Sequence, residues 1–137
     1  MDDGRWMIAV ERTRAPLARR AHVARTLGAR LTGLLGRESL PEGDALVFPA
    51  CRSIHTFGMR FPIDVVFIDR RWRVVALRPF LGPSRLVPPQ WRAWGVVETA
   101  AGSITRAGLM VGDQLRLLEG DSASATHAGA SAEAAHA

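Results

Sequence analysis

Residues Cys51–Asp69 read CRSIHTFGMRFPIDVVFID, and this stretch decides the fold. Its second half, Ile63–Ile68 (IDVVFI), is rich in β-branched and apolar residues, which is typical of a buried strand. Asp69–Arg71 predicts a tight turn, and Trp72–Leu77 (WRVVAL) predicts the strand that returns beside the first one. The centre of the chain is therefore expected to be an antiparallel hairpin.

Further short runs with strand composition lie on both sides of this hairpin. They are Trp6–Val10, Leu17–Ala24, Ala45–Phe48, Trp94–Thr99 and Gln114–Leu118. Leucines at helical spacing between Thr26 and Gly36 predict one short helix, and Ile104–Leu109 predicts a helical turn. The pattern predicts a mostly β fold with one short helix (α+β), in which seven or eight short strands form a small antiparallel β-barrel or sandwich.

The composition divides the chain into two parts. Residues 1–119 are expected to form a single compact β-rich domain. Residues 120–137 contain mainly Ala, Ser and Gly and lack large apolar side chains. Because such a segment cannot bury enough surface to offset the entropy lost on ordering, we expect a disordered tail.

The charge is basic, with a net +5, and all 18 basic residues are arginine. The arginines are dispersed along the sequence, so nucleic-acid binding is possible but is not the favoured interpretation. A single cysteine, Cys51, excludes an intrachain disulfide and fits a reducing compartment. No run approaches the ~20 apolar residues that a membrane helix needs, and the acidic N-terminus is unlike a signal peptide. We expect a cytoplasmic protein without membrane insertion.

Several motifs occur in an order that resembles the domain-of-unknown-function family 192, an uncharacterised bacterial and archaeal group. The most specific motif is Ile54–Met59 (IHTFGM), followed by Pro62-Ile63-Asp64. The others are Leu34–Arg37, Leu40-Pro41, Glu98 with Ala101-Gly102, and Gly112-Asp113. The resemblance implies a small β-rich domain and no established activity. Many relatives carry Trp-Met-Lys-Asn-Thr where this chain has His-Thr-Phe-Gly-Met, which implies a separate branch.

Cys51 and His55 are the sharpest candidates for catalysis, with Asp64 as a third. On an extended strand Cys51, Ser53 and His55 would share one face, as a nucleophile and base of a hydrolase do. Residues four apart on a straight strand lie ~13 Å apart, however, so the pair could act only if the segment curls sharply or uses Asp64 from the next strand. This hydrolase is therefore an alternative interpretation only. No metal site or cofactor is predicted. Zinc normally takes three or four protein ligands, and Cys51 and His55 would supply only two.

Two carboxylates lie within apolar strands. Asp64 should have a partner, because burying an unpaired carboxylate is costly. We expect either backbone N–H groups of the bend at Phe57–Arg60 or an arginine such as Arg52, Arg60 or Arg78. Asp64, Pro62 and Glu98 are therefore assigned structural roles. A second possibility is that Asp64 and Glu98 face each other across a cleft.

The favoured function is that of a non-catalytic accessory domain that binds a small polar or anionic ligand or a peptide. Its groove would be formed by residues 51–60 and by the proline-rich loop at residues 79–91. The predicted ligand-binding residues are His55, Thr56, Met59, Arg60, Arg78 and Trp91.

Overall fold

The computed structural model describes residues 6–24 and 40–120. The strands are β1 (Trp6–Val10), β2 (Pro16–Val23), β3 (Asp44–Phe48), β4 (Ile54–His55), β5 (Ile63–Ile68), β6 (Val74–Leu81), β7 (Leu86–Val87), β8 (Gly95–Ala100) and β9 (Leu115–Glu119). A short helix, α1, spans Ser103–Ala107. The mostly β fold class is confirmed. The helix predicted between Thr26 and Gly36 lies outside the described residues, as does the predicted tail from Asp121 onward.

Seven strands form one curled sheet in the order β6-β5-β8-β3-β2-β1-β9, and β4 and β7 form a separate two-stranded sheet. All neighbouring pairs are antiparallel except β2 and β3, which are parallel. The sheet curls until its two edge strands meet through an antiparallel bridge between Arg73 and Gln114. The result is a half-barrel, which is the open form of the barrel that the sequence predicts. No helix in the described ranges is long and apolar enough to cross a membrane.

The central strands β5 and β8 are buried along their whole length. On β5, Val66 and Ile68 belong to one apolar cluster, which also contains residues of β1, β2 and β3. Val65 and Phe67 belong to a second cluster on the opposite face, which contains Ile54 and Val87 of the small sheet. Because both faces of β5 are covered, its sequence is an almost entirely apolar run that lacks polar alternation.

The exception in that run is Asp64, whose side chain is 0% exposed. Its Oδ1 accepts a hydrogen bond of 2.8 Å from the backbone N–H of Phe80. Its Oδ2 accepts bonds from the N–H groups of Gly102 (3.1 Å) and Ile104 (2.8 Å). The expectation of a backbone partner is correct, but the predicted bend at Phe57–Arg60 and the predicted arginines are wrong. The observed partners lie 16 to 40 residues further along the chain.

These three N–H groups take no part in the regular hydrogen bonding of a strand pair or helix. Pro79 and Phe80 together stand opposite Asp64 in the β5–β6 pairing, so they form a β-bulge. Phe80 has a left-handed φ of 52°. Gly102 precedes α1, and no side chain of α1's own segment caps the helix. Asp64 therefore supplies, from a neighbouring strand, the acceptor that a capping side chain normally supplies.

A second carboxylate, Asp113, joins the β1–β2 turn to the loop before β9. The Arg12 guanidinium donates to both Asp113 oxygens at 2.7 and 2.8 Å, and the N–H of Met110 donates at 2.8 Å. The hydrogen bonds from Arg12 hold the pKa of the Asp113 carboxyl below its ordinary value; burial opposes this effect and the Met110 N–H assists it. The carboxylate form is therefore the one that stabilises the fold.

The Asp64→Asn substitution tests the first of these carboxylates. An amide cannot accept at both of its terminal atoms, and its NH2 group would face a backbone N–H. We expect the free energy of unfolding to fall by about 2–4 kcal/mol, measured by urea denaturation. The matched control is Asp44→Asn, which removes an ion pair with the half-exposed Arg20 and should cost about 0–1 kcal/mol. Equal losses in the two variants would contradict the role of Asp64.

The Asp113→Asn substitution tests the second of these carboxylates, Asp113. Because the pKa of Asp113 is lowered in the folded state, its stabilising contribution is complete above the unfolded pKa, about 4, and disappears as pH falls through the folded pKa. We expect the stability difference between the native protein and Asp113→Asn to be largest near neutral pH and to narrow below about pH 4. Urea midpoints measured across this range check the expectation, and a difference that stays constant with pH would refute it.

Candidate functional site

The two segments predicted as walls of a groove are bonded directly to each other. In the small sheet, Ile54 pairs with Val87 and His55 pairs with Leu86. Backbone hydrogen bonds continue the contact beyond the strands, from the N–H of Gln90 to the carbonyl of Arg52. The segments therefore form a ribbon, which we call the β4–β7 ribbon, and their exposed side chains lie on its surface.

Thr56 holds this ribbon to the proline-rich loop. Its hydroxyl donates to the carbonyl of Gly82 at 2.6 Å and accepts from the N–H of Arg85 at 2.9 Å. Its backbone N–H donates to the carbonyl of Arg85, and its carbonyl accepts from Ser84. The side chain is 0% exposed, so Thr56 supports the surface without lining it. Met59, also predicted to contact ligand, is buried in the second apolar cluster.

The other predicted ligand-binding residues reach the surface to different degrees. His55 is half-buried, and its ring stacks on Phe57 with centroids 5.0 Å apart. Arg60, Arg78 and Trp91 are exposed. The structure therefore does not gather the six predicted residues into one cavity.

The strand alignment behind the hydrolase alternative is absent. Strand β4 begins at Ile54, so Cys51 and Ser53 do not lie in a strand with His55. The Cys51 thiol turns onto its own segment and donates to the carbonyl of Ser53, with an S···O distance of 3.0 Å. Cys51 also packs against the second apolar cluster. Its side chain is half-buried.

Asp64 and Glu98 do not face each other. Asp64 pairs with Thr99, and Val65 pairs with Glu98, on adjacent strands. Since side chains alternate along a strand, the two carboxylates point to opposite faces of the sheet, and the idea of a shared cleft is wrong. Glu98 is fully buried, on the face that carries Val65. Within residues 6–24 and 40–120, no group of three or more His, Cys, Asp or Glu side chains is placed to hold a metal ion.

A more concentrated set of polar side chains surrounds a surface depression of about 290 Å³. Three segments meet there: the chain before β4, the β5–β6 turn, and the turn before β8. The lining residues are Arg52, Asp69, Arg70, Arg71, Trp91, Arg92, Ala93 and Trp94. We call this the arginine depression. Four positive charges against one negative charge give it a local net charge of +3.

The four arginines differ in their pairing from others in the domain. Arg12, Arg20, Arg106 and Arg116 each form an ion pair with a carboxylate. None of the four arginines of the depression forms an ion pair in the described part of the chain. Only Arg52 makes a side-chain hydrogen bond there, from its Nε to the carbonyl of Ala93 at 3.0 Å. The depression therefore holds uncompensated positive charge.

The backbone around the depression is held by short-range hydrogen bonds. Asp69 Oδ1 accepts from the N–H groups of Arg71 (2.8 Å) and Arg73 (3.0 Å), which fixes the tip of the β5–β6 turn. On the other side, the N–H of Ala93 donates to the carbonyl of Gln90, which closes the turn that carries Trp91. The lone carboxylate of the site thus acts partly as a turn-forming group, and the basic side chains extend from rigid turns.

Of the residues predicted to bind ligand, only Trp91 lines the depression. Sequence reasoning missed the arginine set because its members lie far apart; Arg52 and Ala93, whose carbonyl it binds, are 41 positions apart in the sequence. The available signals were local. Arg70 and Arg71 lie at a predicted turn tip, and Arg92 follows an aromatic residue in a turn.

Comparison with solved structures shows the fold of this chain in two other bacterial proteins. A protein of unknown function from Novosphingobium aromaticivorans is 22% identical, with 80% of this chain and 83% of that chain covered and a TM-score of 0.68. A candidate transcription regulator from Sinorhizobium meliloti is 18% identical, with 81% and 90% covered and a TM-score of 0.68. At such identities the likeness shows the fold alone.

Among curated proteins no match is found. The model of DUF192, the domain-of-unknown-function family 192 described as "Uncharacterized ACR", matches residues 8–117, which include every described strand and helix apart from a few terminal residues of β1 and β9. This match agrees with the motifs around Ile54–Met59 and Pro62–Asp64. The chain belongs to the DUF192 family.

Proposed function

We propose that this domain is a non-catalytic binding module whose ligand is a small anion held in the arginine depression. The observation that carries the proposal is the convergence on one depression of four arginines that form no ion pair with the described residues. Like charges brought together repel one another, so such a cluster is stabilised when an anion occupies it. Guanidinium groups also bind carboxylate and phosphate through paired hydrogen bonds.

A second depression of about 220 Å³ provides a contrast within the same molecule. It is lined in part by Arg19, Arg106, Glu42 and Ser103. There Arg106 is paired with Glu42 at 2.9 Å, so much of the positive charge is already compensated. The anion would therefore favour the arginine depression.

Several finer assignments accompany this proposal. We propose that the chain belongs to a separate branch of the family, which the His-Thr-Phe-Gly-Met sequence at residues 55–59 supports, and that it is cytoplasmic, which the single cysteine favours. Residues 1–119 act as one domain. The Sinorhizobium protein's description as a candidate transcription regulator adds no support here, because its likeness extends to the fold alone. We do not propose the hydrolase, because the Cys51 thiol donates to the carbonyl of Ser53 and the Asp64 carboxylate is engaged by backbone N–H groups.

A charge-removal experiment tests the proposal, with inorganic pyrophosphate as the probe. The double variant Arg70→Gln/Arg71→Gln removes two arginines whose side chains make no hydrogen bond within the described ranges, so the fold should be retained. We expect isothermal titration at low salt to give a Kd about tenfold higher than that of the native protein. Binding by both proteins should weaken as salt is raised, because exposed charges are screened.

The matched control is Arg60→Gln/Arg78→Gln, which removes the same charge from residues outside the depression. Both residues belong to the groove predicted from the sequence, so the pair also tests that earlier location. We expect the control to bind pyrophosphate nearly as well as the native protein. An equal loss in the two double variants, or no binding by the native protein, would overturn the proposal.

A further inference from the structure

Trp91 is the least buried of the large apolar side chains, at 77% exposed among the residues that the structure describes. Tryptophan is usually well buried in folded proteins, because its large ring gains much from leaving water. Its position here is not at a frayed end: Trp91 lies in the closed turn between Gln90 and Ala93. An aromatic ring fixed by its backbone and left in water is a surface on which a planar group can stack.

The ring borders the same depression as the uncompensated arginines. Arg92 follows it directly, and Arg52, Arg70 and Arg71 complete the basic lining. The side chains thus combine phosphate-binding groups with an aromatic platform. This combination is the one that proteins use to bind single-stranded nucleic acid, where arginines contact the backbone and bases stack on aromatic rings.

From this juxtaposition we propose that the anion in the arginine depression is the phosphate of a nucleotide, and that its base stacks on Trp91. This inference rests on the proposed function, because it names the ligand class of the same site. Two sources share this chemistry, a free nucleotide and a nucleotide unit of a single strand, and the test below distinguishes them.

The dimensions of the site agree with a single nucleotide unit. A volume of about 290 Å³ lies at the lower limit for small-molecule sites and is too small to enclose a larger cofactor. The depression is open on the solvent side, since Arg70, Arg71, Trp91 and Arg92 are all exposed. A strand could therefore enter and leave it, with one phosphate near the arginines.

An acidic peptide is the competing occupant, since arginine and tryptophan are also frequent in protein interfaces. The nucleotide is favoured because four arginines surround one small depression. A phosphate concentrates its negative charge on one group, whereas the carboxylates of a peptide are spread along an extended chain. The exposed ring also matches a planar base in shape, which no acidic side chain offers.

The test compares probes that differ by one chemical part. Thymidine 5′-monophosphate and 2-deoxyribose 5-phosphate carry the same phosphate, and only the first has a base. With the native protein at low salt, we expect the nucleotide to bind about tenfold more tightly than the sugar phosphate.

In Trp91→Ala this advantage of the nucleotide should disappear while the sugar phosphate binds as before, and Trp91→Phe should restore most of the advantage. Phe57→Ala, which removes an exposed ring outside the depression, is the matched control and should change neither Kd.

Each outcome separates the two proposals. Equal binding of the nucleotide and the sugar phosphate by the native protein would overturn the nucleotide inference and leave the anion site intact. Binding of neither probe would overturn both proposals.

A tighter Kd for octathymidylate than for the mononucleotide would identify a single strand as the source, and similar values would identify the free nucleotide. An octaglutamate peptide that bound as tightly as octathymidylate would refute the inference in favour of an acidic protein segment.

Discussion

The carboxylate of Asp64 is the contact on which the arrangement of the second half of the fold depends. It lies in the interior with no exposed surface, where an unpaired charge would be costly, and it binds the N–H groups of Phe80, Gly102 and Ile104. The dependence is mutual. The bulge of β6 and the first turn of α1 each have backbone N–H groups that lack a partner in the regular hydrogen bonding of the strand or helix. The Asp64 side chain accepts hydrogen bonds from both. The end of β6 and the start of α1 are thereby fixed to the central strand.

Local patterns in the sequence were sufficient for much of this fold. The run IDVVFI predicted β5, and the turn at Asp69–Arg71 predicted its hairpin with β6. Burial cost also predicted that Asp64 must have a partner. The identity of that partner could not be predicted, because it depends on which distant loops return to β5. The same limit applies to the relation of Asp64 to Glu98, which is decided by the register of β5 on β8 and not by the composition of either strand.

The arginine depression shows why the candidate site was harder to predict than the fold. In the sequence its arginines look like part of a general excess of basic residues. Ion pairs engage several of the other arginines, and turns fixed by Asp69 and by the Gln90–Ala93 hydrogen bond bring Arg70, Arg71 and Arg92 close to Arg52. Which arginines are ion-paired and which are brought together by turns both depend on contacts between residues that are far apart in the sequence. The charge of a site is therefore a property of the folded surface, which counting residues along the chain does not reveal.

The incomplete closure of the half-barrel has a consequence for self-association. The edges of the sheet meet near the start of β6, where Arg73 bridges to Gln114, so within the described chain the far end of β6 has a neighbouring strand, β5, on one side only. An open edge of this kind can pair with the edge of another molecule and start aggregation. Here the free end contains Arg78, Pro79 and the left-handed Phe80. Proline lacks the N–H that a new ladder would need, the bulge twists the backbone away from a flat edge, and the charge opposes stacking of identical strands. The bulge that Asp64 holds in place thus also protects the edge of the sheet against edge-to-edge aggregation.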